Sequence, residues 1–398
     1  MNSVRSIRLP ISIVLMIYCM GGCKKTNPIS LPTQYPASDF SQVFQDFWSQ
    51  MNTNYVFWSI DTVDWDAKYK FYQPLFAQLN IQHPQDELKA FQYFSDMTRG
   101  LVDSHYQLSF FDPVLLDSVF SPANARKKGH IAPELPFTFF SQTITKKYFD
   151  NSYWALTDIP FVFSEKDDTT KMGLVTGIIK KHILYLHINQ FYLHNGIQVQ
   201  GSTILAEGWN QFLTSLHTAG LATALIIDMR SNSGGEIVDL NYVGGELIGS
   251  PLNFAYTREK SGNGRLDYTP WADATMTPVA SATAYTYPIV VLIDQHSISM
   301  AEMLTMALKR LPNTHTIGDT TWGANGPLNP DVPLYGGGQF DFAGYGYAYT
   351  SSAEYMYKNG KIYEGKGFPP DQYVPYNQDS VNAGIDVQLE AAIHFLGY

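Results

Sequence analysis

The chain has 398 residues, of which 45% are hydrophobic and 14% aromatic, and its formal net charge is −10. This composition is typical of a well-packed globular protein and not of a disordered chain. Because an acidic protein is repelled by phosphate backbones, we expect no nucleic-acid partner.

The N-terminus has the pattern of an export signal. Two arginines precede an apolar stretch over residues 9–20, which is too short for a stable membrane span. Small residues then lead directly to Cys23, an arrangement that resembles the signal of bacterial lipoproteins. We therefore predict a lipoprotein signal peptide over 1–22, lipid attachment at Cys23 and a polar tether over 23–37. The expected location is the cell envelope, at the periplasmic face of the outer membrane, and an ordinary secretory signal is the alternative.

The cysteine count limits the chemistry. The chain has 2 cysteines, and Cys19 would leave with the signal peptide, so that only Cys23 remains. A single cysteine excludes an internal disulfide, and its predicted lipid attachment excludes a cysteine nucleophile or a thiolate zinc site. The sequence also lacks a His-Glu-x-x-His motif, a Walker loop and a dinucleotide fingerprint, so we expect neither a metal nor a cofactor.

The chain divides into three regions after the tether. Residues 38–110 are predicted to form a helical N-terminal domain, because apolar residues recur at helical spacing. Residues 111–172 are aromatic and punctuated by proline, which favours an irregular β segment. From 173 to 398 apolar strands alternate with helices, which indicates α/β layering with buried strands. The predicted strands there are 183–188, 224–228 and 288–294, and the predicted helices are 202–217, 236–247, 300–311 and 385–396.

Ser299 lies where the apolar run 288–294 gives way to the helical pattern 300–311. A serine at a helix N-terminus lies among free backbone N–H groups and at the positive end of the helix dipole. This environment suits a hydroxyl that attacks a carbonyl and needs the resulting oxyanion stabilised. Ser299 followed by Glu302 is also a capping box, which only starts a helix well. The motif alone leaves both interpretations open.

A serine nucleophile needs a base, and the chain has 10 histidines. His105 follows Asp103 and Ser104 in a polar turn just after a helical segment, where loops often carry function. His296 is close to Ser299 in sequence, but a residue at the strand end has poor access to the next helix cap. The histidines on or beside periodic elements are better interpreted as structural; they are His182, His187, His217 and His394.

Two glycine-bearing loops complete the candidate site. The stretch Asp228–Gly235 takes a buried strand into a turn whose backbone N–H groups could form half of an oxyanion hole. An ordinary strand–helix turn is the alternative interpretation. The stretch Tyr363–Asp371 holds Glu364 in a rigid Gly/Pro loop, where a carboxylate could orient a histidine. Asp371 and Glu354 are the competing carboxylates.

Four motifs occur together in the order and approximate spacing of a known enzyme family. They are Asp228-x-Arg230-x-Asn232-x-Gly234-Gly235, Ser297-x-Ser299-x-Ala301-Glu302, Ile317–Gly323 and Glu364-Gly365-x-Gly367-x-x-Pro370-Asp371. As a set they resemble the tail-specific (carboxy-terminal processing) serine peptidases and the related tricorn core protease over residues 175–396. The resemblance implies a ClpP/crotonase-like α/β core at 173–398. Residues 38–108 resemble the segment that precedes the core in tricorn.

The resemblance also separates two catalytic variants. In the carboxy-terminal processing branch a lysine is the general base, and the corresponding position here is Ala324. In the tricorn branch the catalytic set is a serine–histidine pair, the nucleophilic serine and a glutamate. The matching residues in this chain are Ser104, His105, Ser299 and Glu364. The implied oxyanion donors are the backbone N–H groups of Gly234 or Gly235 and of Met300.

The sequence therefore predicts an exported, lipid-anchored serine endopeptidase that acts on polypeptide substrates. Residues 111–172 show no glycine-rich carboxylate-binding loop, so we expect no PDZ domain there. The alternative is a catalytically inactive relative of the same fold that binds apolar ligands or peptides. In that case aromatic residues at 107–172 and 335–357 would line the cleft.

Overall fold

The computed structural model of the chain describes residues 37–115, 118–160, 169–280, 282–328 and 336–398. Cys23, the predicted signal peptide and all but the last residue of the predicted tether lie outside the described residues. Among the described helices, none has the length and apolarity needed to cross a membrane.

The described helices begin with three that form the N-terminal layer. Aspartates cap the first turns of α1 and α2: Asp39 accepts from the Gln42 N–H and Asp64 from the Ala67 N–H. The α-helices are α1 (Phe40–Asn54), α2 (Trp65–Phe76), α3 (Pro84–Thr98), α4 (Pro122–Lys127), α5 (Thr145–Tyr148), α6 (Thr203–His217), α7 (Val238–Gly244), α8 (Met300–Leu308), α9 (Gln378–Asn382) and α10 (Val387–Phe395). Short 3₁₀ turns occupy Val56–Ser59 and Gly245–Leu247, and π-helical turns occupy Phe139–Ile144 and Asn195–Val199.

The described strands form three sheets. The strands are β1 (Gln107–Phe110), β2 (Phe149–Pro160), β3 (Thr169–Ile179), β4 (Ile183–Ile188), β5 (Ala224–Asp228), β6 (Leu252–Glu259), β7 (Ala272–Met276), β8 (Ile289–Ile293), β9 (Thr314–Gly318), β10 (Gly338–Phe342), β11 (Gly346–Thr350), β12 (Ala353–Tyr357) and β13 (Gln372–Tyr373). The sheet orders are β1-β11-β10, β12-β6-β7 and β13-β9-β8-β5-β4-β3-β2.

The seven-stranded sheet is the centre of the α/β core. Its strands are parallel from β13 to β4 and antiparallel from β4 to β2. Successive residues of β5 enter different cores: Ile227 packs with α6 and α8, whereas Ile226 packs on the opposite face with α10. Because both faces are covered, these strands have continuous apolar sequences. The predicted α/β core and the helical region before it are confirmed.

The helical layer shares its core with a later part of the chain. Strand β1 pairs with β11, with Gln107 opposite Tyr349. Phe47 of α1 packs edge-on against Phe342 of β10, with ring centroids 5.1 Å apart. The predicted helices within 38–110 are present, and the described residues of this layer fall in the same compact unit as the core.

Residues 111–172 contain more regular structure than the predicted irregular β segment. This stretch contains α4, α5 and a π-helical turn, and β2 pairs in long antiparallel register with β3. The regular sheet of the core therefore begins at Phe149 and not at 173. Strand β2 lies at the sheet edge, so most of its side chains are exposed or half-buried and its sequence lacks a continuous apolar run.

A buried arginine anchors the turn that follows β5. The Arg230 guanidinium is 1% exposed, and its Nη2 atom lies 2.5 Å from Asp228 Oδ2 and 2.7 Å from Asp386 Oδ2. Asp386 also caps α10 by accepting from the Leu389 N–H. The end of β5 and the start of α10 are thus joined by charge-assisted hydrogen bonds that fix the start of the glycine turn.

Candidate active site

The backbone at Ser299 is strained. Strand β8 ends at Ile293, α8 begins at Met300, and Ser299 between them has φ +56° and ψ −112°. Residues with a Cβ rarely adopt positive φ, and such strain concentrates at functional sites. The side chain is half-buried, so the turn presents the Ser299 hydroxyl at the edge of the sheet without exposing it fully.

The glycine turn lies directly against Ser299. Strands β5 and β8 are parallel neighbours, with Asp228 opposite Leu292, so the loops after their carboxyl ends meet. Gly234 has φ +89°, and a Cβ built on it would lie 2.7 Å from Ser299 Cβ. The close approach therefore requires glycine at this position.

The two glycines differ in what their N–H groups bind. The Gly234 N–H donates to Asn232 Oδ1 at 2.8 Å, and Gly234 is buried. Gly235 is exposed, and its N–H has no acceptor among the described residues. The Met300 N–H also has no acceptor among these residues. Two unused donors are therefore adjacent to this contact: Gly235 follows the glycine that packs against Ser299, and Met300 follows Ser299 itself.

Glu302 connects the serine turn to the 321–326 loop. Its carboxylate is fully buried and accepts from the Ser299 N–H at 3.2 Å, as a capping-box glutamate does. It also accepts from four donors of the loop: Thr321 Oγ1 (2.5 Å), Gly323 N (2.8 Å), Ala324 N (2.7 Å) and Asn325 Nδ2 (2.9 Å). Burial raises the pKa of Glu302, while these hydrogen bonds oppose the rise.

Glu364 connects the same loop to the histidine turn. Its carboxylate is 1% exposed and accepts backbone N–H bonds from Ser104 (2.7 Å), Asn325 (2.6 Å) and Gly326 (2.9 Å). Burial raises the pKa of Glu364 well above its usual range, and the nearby Asp103 charge adds to this rise. The predicted partners Ser104 and Glu364 are therefore in contact, although through the Ser104 backbone and not its hydroxyl.

Asp103 fixes the turn that carries His105, a role that was not predicted from the sequence. The pairing of β1 with β11 brings Asp103 to the end of β11, where it is buried. Its carboxylate accepts from His105 N (2.9 Å), Thr350 Oγ1 (2.6 Å), Ser351 N (2.8 Å) and Ser351 Oγ (3.0 Å). The sequence signal was only its place next to Ser104 and His105.

The His105 ring lies among carboxylates and is not fully bonded. A ring nitrogen of His105 and carboxylate oxygens of Asp103 and Glu364 lie within 4.8 Å of one another. Nδ1 is buried and has no hydrogen-bond partner among the described residues. Burial lowers the pKa of His105, and the Asp103 charge opposes this only in part. Burial therefore favours the neutral imidazole, which is the form that accepts a proton.

The competing candidates are engaged elsewhere. His296 Nε2 is hydrogen-bonded to the Ala132 carbonyl oxygen at 2.8 Å. Asp371 accepts from Thr316 and pairs with Lys309, while Glu354 pairs with Arg258. The structure thus groups Ser104, His105 and Glu364 on one side and Ser299, Gly234 and Met300 on the other. The 321–326 loop connects the two groups through Glu302 and Glu364.

Sequence comparisons relate the chain to known peptidases. The profile of Peptidase family S41 matches residues 182–374, and that of the Tricorn protease C1 domain matches residues 36–83. The core of the chain is thus similar to peptidase family S41 over residues 182–374. The predicted resemblance to the tail-specific and tricorn-like proteases is confirmed. The tricorn protease of Thermoplasma volcanium is 25% identical over 189 residues, which cover 48% of this chain and 16% of that protein. The chain therefore matches only a small part of that relative.

Solved structures share the fold of this chain. A peptidase candidate from Parabacteroides merdae has a TM-score of 0.65 at 19% identity and covers 91% of this chain and 98% of its own. Mature CPAF has a TM-score of 0.54 at 13% identity and covers 89% of this chain and 95% of its own. At such identities the likeness concerns the fold, so the chemistry must be argued from the site itself.

Proposed function

We propose that this protein is a serine endopeptidase that hydrolyses peptide bonds through an acyl-enzyme. The observation that carries the proposal is the backbone of Ser299. An ordinary N-cap residue has extended φ and ψ. A positive φ costs roughly 1–3 kcal/mol, and helix capping alone does not require it. The strain instead places the Ser299 hydroxyl beside the glycine turn, as a nucleophile requires.

The proposed reaction uses the four residues of the tricorn-like set. The Ser299 hydroxyl attacks the peptide carbonyl while His105 accepts its proton, and His105 then protonates the leaving amine. Water then attacks the acyl-enzyme while His105 accepts its proton, and His105 returns a proton to the Ser299 oxygen as the acid product leaves. Glu364 holds the Ser104 backbone and so fixes the turn that carries His105. In this proposal Ser104 and Glu364 position the base, and the Asp103 carboxylate favours the imidazolium that forms.

The proposed oxyanion donors are the N–H groups of Gly235 and Met300. Both lack an acceptor among the described residues, whereas the Gly234 N–H is already bonded to Asn232. The role of Gly234 is then steric, because it allows the turn to approach Ser299. Donors oriented before the reaction stabilise the developing negative charge without reorganisation.

Several aromatic residues named for the binding alternative fill a core instead of lining a cleft. The alternative places Phe110, Phe342 and Tyr345 along a cleft. These residues are buried, with 2%, 0% and 7% of their surface exposed. They pack with α1 and α3 in one hydrophobic core, for example Phe110 against Phe94 at 6.0 Å between centroids. Residues that fill a core do not line a ligand cleft, so the peptidase remains the better hypothesis.

Covalent labelling tests the proposal. A fluorophosphonate probe reacts with an activated serine hydroxyl and should modify the peptide that contains Ser299, as read by mass spectrometry. His105→Ala should reduce the labelling rate because the proton acceptor is missing. A folded protein that takes no label and instead binds an apolar fluorescent ligand would support the binding alternative.

The pH profile should show a depressed histidine pKa. His105 must be neutral to accept the Ser299 proton, and burial lowers its pKa below the usual value. The acid limb of kcat/KM should therefore lie below about pH 6.5, the usual value for histidine. Steady-state cleavage of a fluorogenic peptide between about pH 4 and pH 9 measures this limb. A limb above about pH 6.5 would contradict the assignment of His105.

Acid unfolding must be separated from this titration. A histidine with a lowered folded-state pKa binds its proton more readily in the unfolded chain, so its contribution to stability decreases as pH falls below the unfolded value. Near-UV circular dichroism at each pH, and recovery of activity after return to neutral pH, serve as the control. Loss of activity with an unchanged spectrum then reports the protonation of His105.

We also propose export and lipid attachment at Cys23, on the basis of the signal pattern over 1–22. Cys23→Ala should remove the protein from the membrane fraction and abolish incorporation of an alkyne-labelled fatty acid. Cys19→Ala is the matched control, because Cys19 lies within the predicted signal and should leave labelling unchanged. Equal labelling of both variants would mean that Cys23 is not the attachment site. Protease protection in intact cells would establish which membrane face the anchor occupies.

A further inference from the structure

Lys127 reaches the loop that holds both buried glutamates. It is the last residue of α4, and its ammonium group lies 4.3 Å from the centroid of the Trp322 ring. It also donates a hydrogen bond to the Trp322 carbonyl oxygen. A cation that contacts both the ring and the carbonyl of one residue restricts that residue strongly. Nothing in the sequence relates Lys127 to a loop 195 residues away.

The residues after Trp322 all bind one of the two glutamates. Gly323 and Ala324 donate their backbone N–H groups to Glu302. Asn325 and Gly326 donate theirs to Glu364. A shift of Trp322 would therefore disturb both carboxylates at once. Lys127 contacts the loop at Trp322, between the Thr321 hydroxyl donor and the four backbone donors.

The charges around Lys127 match this position. Glu302 of α8, Glu364 of the loop before β13 and Asp319 after β9 all attract its ammonium group, while Arg126 of its own helix repels it. Buried carboxylates are unfavourable without a compensating charge. Lys127 is partly buried and supplies such a charge, although it belongs to none of the four family motifs.

We propose that Lys127 is a positioning residue of the peptidase. It orders the 321–326 loop and provides a positive charge for the carboxylates of Glu302 and Glu364. The inference rests on the proposed function. In the carboxy-terminal processing branch a lysine occupies the position of Ala324 in this loop. Here the loop lacks that lysine, and α4 brings the ammonium group of Lys127 to it from a different part of the chain. Lys127 acts through the loop and does not itself contact the reacting atoms.

The charge on Lys127 should limit activity at high pH. Burial lowers the pKa of Lys127, and the three carboxylates named above oppose this only in part. In the wild-type protein the alkaline limb of kcat should therefore include the loss of this proton. Arginine remains protonated at these pH values. Lys127→Arg should thus keep most of the activity and move the alkaline limb to higher pH.

Three variants test the proposal by kinetics on a fluorogenic peptide. Lys127→Met should lower kcat about 10- to 100-fold, as small misplacements of catalytic groups do, with KM changed by less than about twofold. Lys128→Met is the matched control, since Lys128 is the exposed next residue, and it should behave as wild type. If Lys127→Met does not fold, the alkaline limb of Lys127→Arg decides alone.

The outcomes distinguish this inference from the proposed function. If wild-type protein neither cleaves peptide nor reacts with fluorophosphonate, the peptidase proposal fails and this inference fails with it. If wild type is active and Lys127→Met has the same kcat and alkaline limb, only the role of Lys127 is overturned. Equal alkaline limbs in Lys127→Arg and wild type would also overturn it, because a purely structural lysine would give that result.

Discussion

Ser299→Ala is expected to abolish peptidase activity and to leave the fold intact. Removal of a serine nucleophile lowers kcat by several orders of magnitude, up to about 10⁶-fold in a comparable serine protease. The fold should persist because the Glu302 carboxylate binds the Ser299 backbone N–H, which alanine retains. Activity on unfolded casein and the melting temperature measure the two effects separately.

Two further variants make this prediction sharper. Ser233→Ala changes an exposed serine of the neighbouring glycine turn and should retain activity. Ser299→Gly should be as inactive as Ser299→Ala but more stable by about 1 kcal/mol in urea unfolding, because glycine relieves the positive φ. Casein cleavage by Ser299→Ala at the wild-type rate would refute the nucleophile. Equal stability of the glycine and alanine variants would show that the backbone strain is unimportant.

The parallel strands of the core were predictable because their burial is visible in the sequence. The predicted strands 183–188 and 224–228 coincide with β4 and β5, and 288–294 contains β8. Strands buried on both faces have continuous apolar runs, which need no knowledge of the partner strand. The edge strand β2 has no such run, so residues 149–160 were not recognised as part of the sheet.

The contacts within the site could not be predicted, because they join distant parts of the chain. Ser104 and Glu364 are 260 residues apart, and only the family motifs suggested that they meet. The pairing of Asp103 with Ser351 depends on the strand order β1-β11, which no local pattern encodes. Likewise, the capping box at Ser299 was visible in sequence but its positive φ was not. The backbone conformation therefore adds an argument for the nucleophile that the sequence did not contain.

Glu364→Gln is expected to lower kcat strongly, by about 10²- to 10⁴-fold, as amide replacement of the third residue in a related triad does. The Glu364 carboxylate accepts on one oxygen from Ser104 and on the other from Asn325 and Gly326. A glutamine offers only one oxygen, so its NH₂ group must oppose an N–H donor. An unpaired buried donor costs about 1–3 kcal/mol, and relaxation at Ser104 would displace His105.

The matched control is Glu354→Gln, which changes another buried glutamate. Glu354 lies on β12 and binds Ser59 and Arg258, without a contact to the 321–326 loop. It should lower the urea midpoint but leave kcat close to wild type. If both variants lose activity in proportion to their loss of stability, Glu364 only supports the fold. If only Glu364→Gln loses kcat at a temperature where both variants remain folded, the carboxylate positions the base, because loss of a buried carboxylate alone would affect both variants.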